Sequence, residues 1–255
     1  MSNKREREKR REQRLQEESK VDSGERRTRL LQIGAGAVFL AIVAVVVLIV
    51  ASSGGGGGGN AANLKEVSAV DSLVSGAPQN GMVLGKPEAK VELIEFGDLQ
   101  CPVCKAYSEE ILPQVIESKV DNGEAKITFK NFTIIGEQST PAGAAAIAAG
   151  KQGRGWNYLE LFYRNQGAEN SGYANDEFLT AVAKASGVKD IGQWNKDRKS
   201  AKTTGEVKKT TERAQTYGFS GTPSFAIKGP GTNGVELLGS LSTPEEFESA
   251  IEEAG

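Results

Sequence analysis

Cys101-Pro102-Val103-Cys104 holds the only two cysteines in the 255-residue chain. Two thiols three residues apart can close a disulfide or exchange one with another molecule. The flanking residues favour exchange. An apolar run, Lys90 to Gly97, precedes the pair and reads as a β-strand, and a helical pattern runs on from Pro102. A Cys-x-x-Cys at a strand-to-helix junction places its first thiol at a helix N-terminus. There the unpaired N–H groups and the helix dipole favour the thiolate, which is the nucleophile of thiol–disulfide exchange. Pro102 suits the first helical position because its fixed φ fits and its missing N–H is not needed there.

Two other readings of the pair are weaker. Zinc takes four ligands, usually Cys and His, and the chain has no histidine and no third cysteine. No metal site is expected, and no calcium-loop motif is recognisable. A purely structural disulfide would close a very small loop and constrain little of the unfolded chain.

Glu95 lies six residues before Cys101 and shares a strand face with Val91 and Leu93. An inward carboxylate and an ordinary exposed one fit that spacing equally well. The strand, Val91 to Phe96, is apolar on both faces, as a central strand covered on two sides would be. The helix after Cys104 meets Pro113 in mid-course and should kink there. A second strand is expected over 125–135, parallel to the first because a helix joins them.

A long helical stretch follows, about 139–217, with Thr140-Pro141 read as its first cap. Further helices are expected over 156–164, 175–186, 191–199 and 204–217. Strands return at 224–228, after Gly221-Thr222-Pro223, and at 235–238. Thr243-Pro244-Glu245-Glu246 is a capping box that opens a final helix. Upstream, residues 64–81 read as a short amphipathic helix and a turn, and Met82 to Leu84 as an edge strand.

The N-terminal quarter has a different composition. Residues 1–29 carry eleven Lys/Arg against seven Asp/Glu, and the remainder is net acidic. The interleaved glutamates argue against a nucleic-acid-binding arm, so no nucleic acid partner is expected. Leu30 to Ser53 has no charged residue, long enough for a membrane-spanning helix over 30–52. The basic flank puts residues 1–29 in the cytoplasm and everything after the span outside it. A cleaved signal peptide is the alternative; the long charged start favours an uncleaved anchor. Residues 53–63 include six consecutive glycines and read as a flexible tether reaching roughly 17 Å.

The order β-α-β, helical insert, β-β-α, with Cys-x-x-Cys opening the first helix, resembles the thioredoxin superfamily, and within it the DsbA-like thiol–disulfide oxidoreductases. The motifs that carry the resemblance are Leu84 to Val91 leading through Glu95-Phe96-Gly97-Asp98-Leu99-Gln100 to Cys101-Pro102-Val103-Cys104, and Gly221-Thr222-Pro223-Ser224-Phe225. It covers residues 82–255 and implies an α/β thioredoxin-like fold with a helical insertion, preceded here by one transmembrane helix. Cys101 would be the exposed, attacked thiol and Cys104 the buried resolving one. Thr222-Pro223 would be a cis peptide lining the substrate groove with Pro102 and Val103, and Glu95 a buried acid relaying the Cys104 proton. The resemblance implies no cofactor, secreted thiol proteins as substrates, and a quinone-linked membrane oxidase as the reoxidising partner. A reductant or isomerase using the same residues remains open, as does a non-catalytic binding module with a static disulfide. The chain departs from the best-known members in having no histidine between its cysteines, which puts a very oxidising potential in doubt.

Overall fold

The computed structural model describes residues 63–255. The expected tail, membrane span and glycine tether over 1–62 lie outside the described residues. Among those described, no helix is long and apolar enough to cross a membrane.

The described chain runs α1 (Val67–Val74), β1 (Gln79–Asn80), β2 (Val83–Leu84), β3 (Val91–Gly97), α2 (Pro102–Glu110) and α3 (Leu112–Val115). A wider π-helical turn, Ile116–Val120, leads to β4 (Ala125–Asn131). Five helices then intervene: α4 (Ser139–Gly150), α5 (Gly155–Arg164), α6 (Asp176–Ala185), α7 (Ile191–Arg198) and α8 (Ala201–Thr216). The chain returns to the sheet as β5 (Ser224–Lys228) and β6 (Glu236–Leu237), and closes with α9 (Pro244–Ala254).

One six-stranded sheet, in the order β1-β2-β4-β3-β5-β6, organises these elements. β3 pairs parallel with β4 from Val91↔Ala125 to Gly97↔Asn131, and antiparallel with β5 from Glu92↔Lys228 to Phe96↔Ser224. β3 is therefore central, as its two apolar faces require. Side chains alternate across a strand, so the faces are built from different residues. Val91 and Leu93 join Phe129, Phe225, Phe247, Cys104 and Tyr107 in the larger core. Ile94 and Phe96 pack with Phe132, Ala214, Tyr217 and Phe219 under α8 on the other face.

The break at Pro113 is present: α2 stops at Glu110 and the chain resumes as a four-residue turn from Leu112. The capping box at α9 is complete, with Thr243 accepting from Glu246 N–H and the Glu246 carboxylate accepting from Thr243 N–H.

Four boundaries differ from expectation. Met82 to Leu84 is not an edge, because Gln79 and Asn80 fold back onto Leu84 and Val83. Gly81, at φ 61°, supplies the left-handed conformation that this tight turn needs. β4 ends at Asn131 rather than residue 135, because the N–H groups of Ile134 and Ile135 donate to the Asp98 carboxylate instead of a neighbouring strand. α4 starts at Ser139, and the Thr140 hydroxyl bonds the Thr133 hydroxyl rather than capping the helix. α8 starts at Ala201, three residues early, because Ser200 accepts from Thr203 N–H as its cap.

Candidate active site

Cys101 is the N-cap of α2. Its extended backbone turns the sulfur back over the first turn, where it accepts from Cys104 N–H at 3.4 Å. No acidic residue lies in that turn to oppose a thiolate. Both cysteines are free thiols. The first is not the exposed group the sequence suggested: Cys101 is only 4 % exposed and Cys104 not at all. What stands out of the surface is Val103, 41 % exposed, with Pro102 beside it.

The loop before β5 covers the Cys101 sulfur. The Thr222-Pro223 peptide is cis, and the Cys101 thiol donates to the Thr222 carbonyl at 3.3 Å. Cys101, Cys104, Thr222 and Pro223 thus meet, although 121 residues separate Cys101 from Thr222.

The two thiols are electrostatically unequal. Hydrogen bonding from the Cys104 thiol, helped by Thr222 and the N–H groups of Cys104 and Val103, outweighs burial and lowers Cys101 from 9.0 to about 7. The bond to the Thr222 carbonyl works the other way, since it holds the proton on sulfur. The favourable contribution from Thr222 comes from its side chain, whose buried hydroxyl has no hydrogen-bond partner of ordinary geometry among the described residues. Burial, then the neighbouring Cys101 and Glu95, push Cys104 well up. One thiol is therefore ready to ionise near neutrality and the other holds its proton.

Glu95 does point inward. It is 1 % exposed, sits between Phe129 of β4 and Phe225 of β5 in the sheet, and its Oε1 has no hydrogen-bond partner among the described residues. Burial first, then Glu160 and Cys101, raise its pKa well above the ordinary 4.5. The folded protein therefore holds this proton over a pH range in which the unfolded chain has released it. Stability from this group is greatest below about pH 4.5 and is lost as pH rises toward the folded pKa. In that window wild-type stability should fall with a slope of up to ~1.4 kcal/mol per pH unit from Glu95. Denaturant titrations of reduced protein from pH 5 to 8 should show a shallower fall for Glu95→Gln, and an equal fall would remove Glu95 as the source.

A second set of residues holds the active-site loop: Asp98 and Gln100 lie in the stretch leading to Cys101, whereas Ser139, Tyr163, Gln166 and Asn170 carried no motif in the sequence. Buried Asp98 accepts from Gln100 N–H at 2.9 Å, Ile134 N–H at 2.9 Å and Ile135 N–H at 3.0 Å. Its own carbonyl accepts from Cys101 N–H at 3.0 Å and Tyr163 O–H at 3.3 Å. From the helical insert, Gln166 Nε2 donates to the carbonyls of Leu99 at 2.7 Å and Cys101 at 3.1 Å. Gln100, also buried, donates to Ser139 Oγ and accepts from Asn170 N–H. The insert therefore fixes the backbone that carries Cys101. Beneath the dithiol, Tyr107, Phe225 and Phe247 pack with ring centroids 4.8 to 5.3 Å apart.

Comparison with known proteins agrees with this fold. The family model described as Thioredoxin matches residues 78–253. A probable disulfide bond formation protein D of Bacillus cereus is 33 % identical over 149 residues, covering 57 % of this chain and 69 % of the relative. The disulfide bond formation protein D of Bacillus subtilis strain 168 is 29 % identical over 159 residues, covering 60 % and 71 %. In three dimensions the crystal structure of oxidised BdbD from Bacillus subtilis superposes with a TM-score of 0.60 at 23 % identity, over 71 % of this chain and 94 % of that one.

Proposed function

This chain belongs to the thioredoxin family as a DsbA-like thiol–disulfide oxidoreductase, and from that premise we propose that it is tethered to the membrane and oxidises cysteines of secreted proteins outside the cytoplasm. The observation that carries the reading is the pairing of a Cys101 thiol near pKa 7 with a fully buried, protonated Cys104 beneath it. A low pKa at the first sulfur stabilises the reduced form, so the disulfide form accepts electrons more readily.

In the proposed cycle a substrate thiolate attacks Cys101 Sγ of the disulfide. The S–S bond breaks, and its electron pair leaves with Cys104 Sγ, which takes a proton from Glu95. A second substrate thiolate then attacks the substrate sulfur of the mixed disulfide and expels Cys101 as a thiolate. The substrate leaves as a disulfide, and the enzyme is left as the dithiol. The Thr222-Pro223 loop, with Pro102 and Val103, lines the place where the substrate sulfur sits. A quinone-linked membrane oxidase would take the electrons onward. Residues 1–29 form a cytoplasmic tail, 30–52 the anchor, 53–63 the tether and 64–81 the lead into the catalytic domain, 82–255. The charge asymmetry and the uncharged run support that layout.

One observation favours a reductant or isomerase as the second reading. Without a histidine between the cysteines, Cys101 is lowered only to about 7. A redox titration of the full chain in spheroplasts, against glutathione, separates the cases. A potential near about −120 mV supports the oxidant, one near about −180 mV the isomerase, and one below about −200 mV the reductant. Failure to react at all would leave a non-catalytic module. In the same cells, added protease should remove everything after the glycine tether; a protected domain would reverse the topology.

A further inference from the structure

The cycle above uses one carboxyl, Glu95, but the wall behind the dithiol contains two. Glu160 lies on α5, in the helical insert, and has no exposed surface. Its neighbours in sequence, Trp156, Tyr158, Leu159, Leu161, Phe162 and Tyr163, are all buried as well. Its Oε2 accepts from the Ser108 hydroxyl of α2 at 2.8 Å and stands 3.9 Å from Arg164 Nη2. Its Oε1 has no hydrogen-bond partner among the described residues, and the same holds for Glu95 Oε1 and the Tyr107 hydroxyl. A buried carboxylate with one oxygen left without a donor is stable only if it can take up a proton or share its charge. Two such acids face the helix that carries Cys104.

We propose that Glu160 is a positioning residue of the dithiol site, whose charge, delivered from the helical insert, keeps a proton on Glu95 until Cys104 needs it. The proposal rests on the relay role given to Glu95 above. Glu160 is the largest influence on Glu95 after burial, and both acids act on Tyr107. Burial raises Glu160 itself to about 7, against the Ser108 hydrogen bond and the Arg164 charge, so it changes charge near neutrality.

The groups that bear on Glu160 are few. Arg164 comes from its own helix, Ser108, Tyr107 and Glu109 come from α2, and Glu95 comes from β3. α4, packed against α5, is built from Ser, Thr, Pro, Ala, Gly and Ile, and offers no charge. On α1, Asp71 is taken up by Asn157. Arg164 links the acid outward, since its side chain is 14 % exposed and lies 3.6 Å from the carboxylate of Glu66, which is 51 % exposed.

The proton balance follows. When the Cys101–Cys104 bond breaks, Cys104 leaves as a thiolate and Glu95 gives it a proton. Glu95 becomes a carboxylate, and Glu160 takes a proton from water at the Arg164 end. The dry pocket thus never holds both carboxylates, and the same transfers run backwards when Cys104 attacks a mixed disulfide.

The test is the pH dependence of the rate at which Cys104 resolves a Cys101–glutathione mixed disulfide, in the full-length protein in detergent. Glu160→Gln keeps the volume and the Ser108 contact while removing the charge. Its midpoint should move toward acid by about one pH unit or more, because Glu95 now loses its proton earlier. The Cys101 thiolate absorbance, titrated separately, should move much less. Ser108→Ala, which removes a donor that favours charged Glu160, should shift the profile the same way by a smaller amount; it decides the matter if Glu160→Gln does not fold. Unshifted profiles in the folded variants overturn the proposal. Glu95→Gln separates the two roles. If it leaves the wild-type pH dependence intact, the relay reading of Glu95 fails; if it flattens the profile while Glu160→Gln does nothing, only Glu160 is excluded.

Discussion

Cys104→Ser should accumulate mixed disulfides when offered a disulfide-bonded peptide, and Cys101→Ser should accumulate none. Both sulfurs are buried, so exposure alone does not separate them; ionisation and position do. Cys101 caps α2 and is lowered to about 7, so near neutral pH a large fraction is thiolate. Cys104 lies wholly inside and is raised by burial, so it neither ionises readily nor meets an incoming sulfur. In the wild type, Cys104 clears a mixed disulfide on Cys101 from within the same helix turn. Intramolecular attack of that kind corresponds to effective concentrations on the order of 10⁵ M or more. Serine at position 104 removes that attack with almost no change in volume, and the captured substrate should persist at least a thousandfold longer. The check is a non-reducing gel, after acid quench, with a disulfide-bonded peptide: the Cys101 thiolate breaks its S–S bond, keeps one half and releases the other as a thiol. Equal trapping by the two variants would sink the assignment of roles.

The parts of this site that were legible in the sequence are those with a local rule. Cys101 and Cys104 announce themselves by spacing and by the proline between them, and β3 by apolar residues on both faces. Thr243 and Glu246 form a capping box within four residues, and both of its bonds are present. Glu95 was half legible: alternation put it on the face of Val91 and Leu93, but only the pairing with Phe129 and Phe225 buries it. The rest depends on distance along the chain. Gln166 reaches Leu99 across 67 residues and Glu160 reaches Ser108 across 52. A glutamate in an aromatic helix, or a glutamine just past its end, carries no period or motif that says which loop it will hold. The same blindness extended β4 to residue 135, because its last N–H groups are claimed by a carboxylate in another loop rather than by a strand.

That carboxylate is where a single change should cost most stability. Asp98 is fully buried and accepts three backbone N–H bonds, from Gln100 in its own loop and from Ile134 and Ile135 beyond β4. It therefore ties the backbone before Cys101 to the neighbouring strand's exit. Alanine at this position would leave three N–H groups without acceptors and would leave space that a methyl group cannot fill. Each buried, unsatisfied donor costs about 1–3 kcal/mol, so Asp98→Ala should lose about 3–5 kcal/mol. Asp98→Asn keeps one carbonyl acceptor but turns an NH₂ toward donors on the other side, and should lose roughly half as much. Glu212→Ala serves as the contrast. Its ion pair with Lys208 is well exposed at 3.8 Å, and its loss should cost less than about 1 kcal/mol. Urea denaturation of the reduced protein reads all three. The same Asp98 substitutions should slow exchange at Cys101, because its N–H is held by the Asp98 carbonyl and its place over Thr222 depends on that loop. An Asp98→Ala protein within 1 kcal/mol of wild type would mean that Gln166, Tyr163 and Gln100 hold the loop without it.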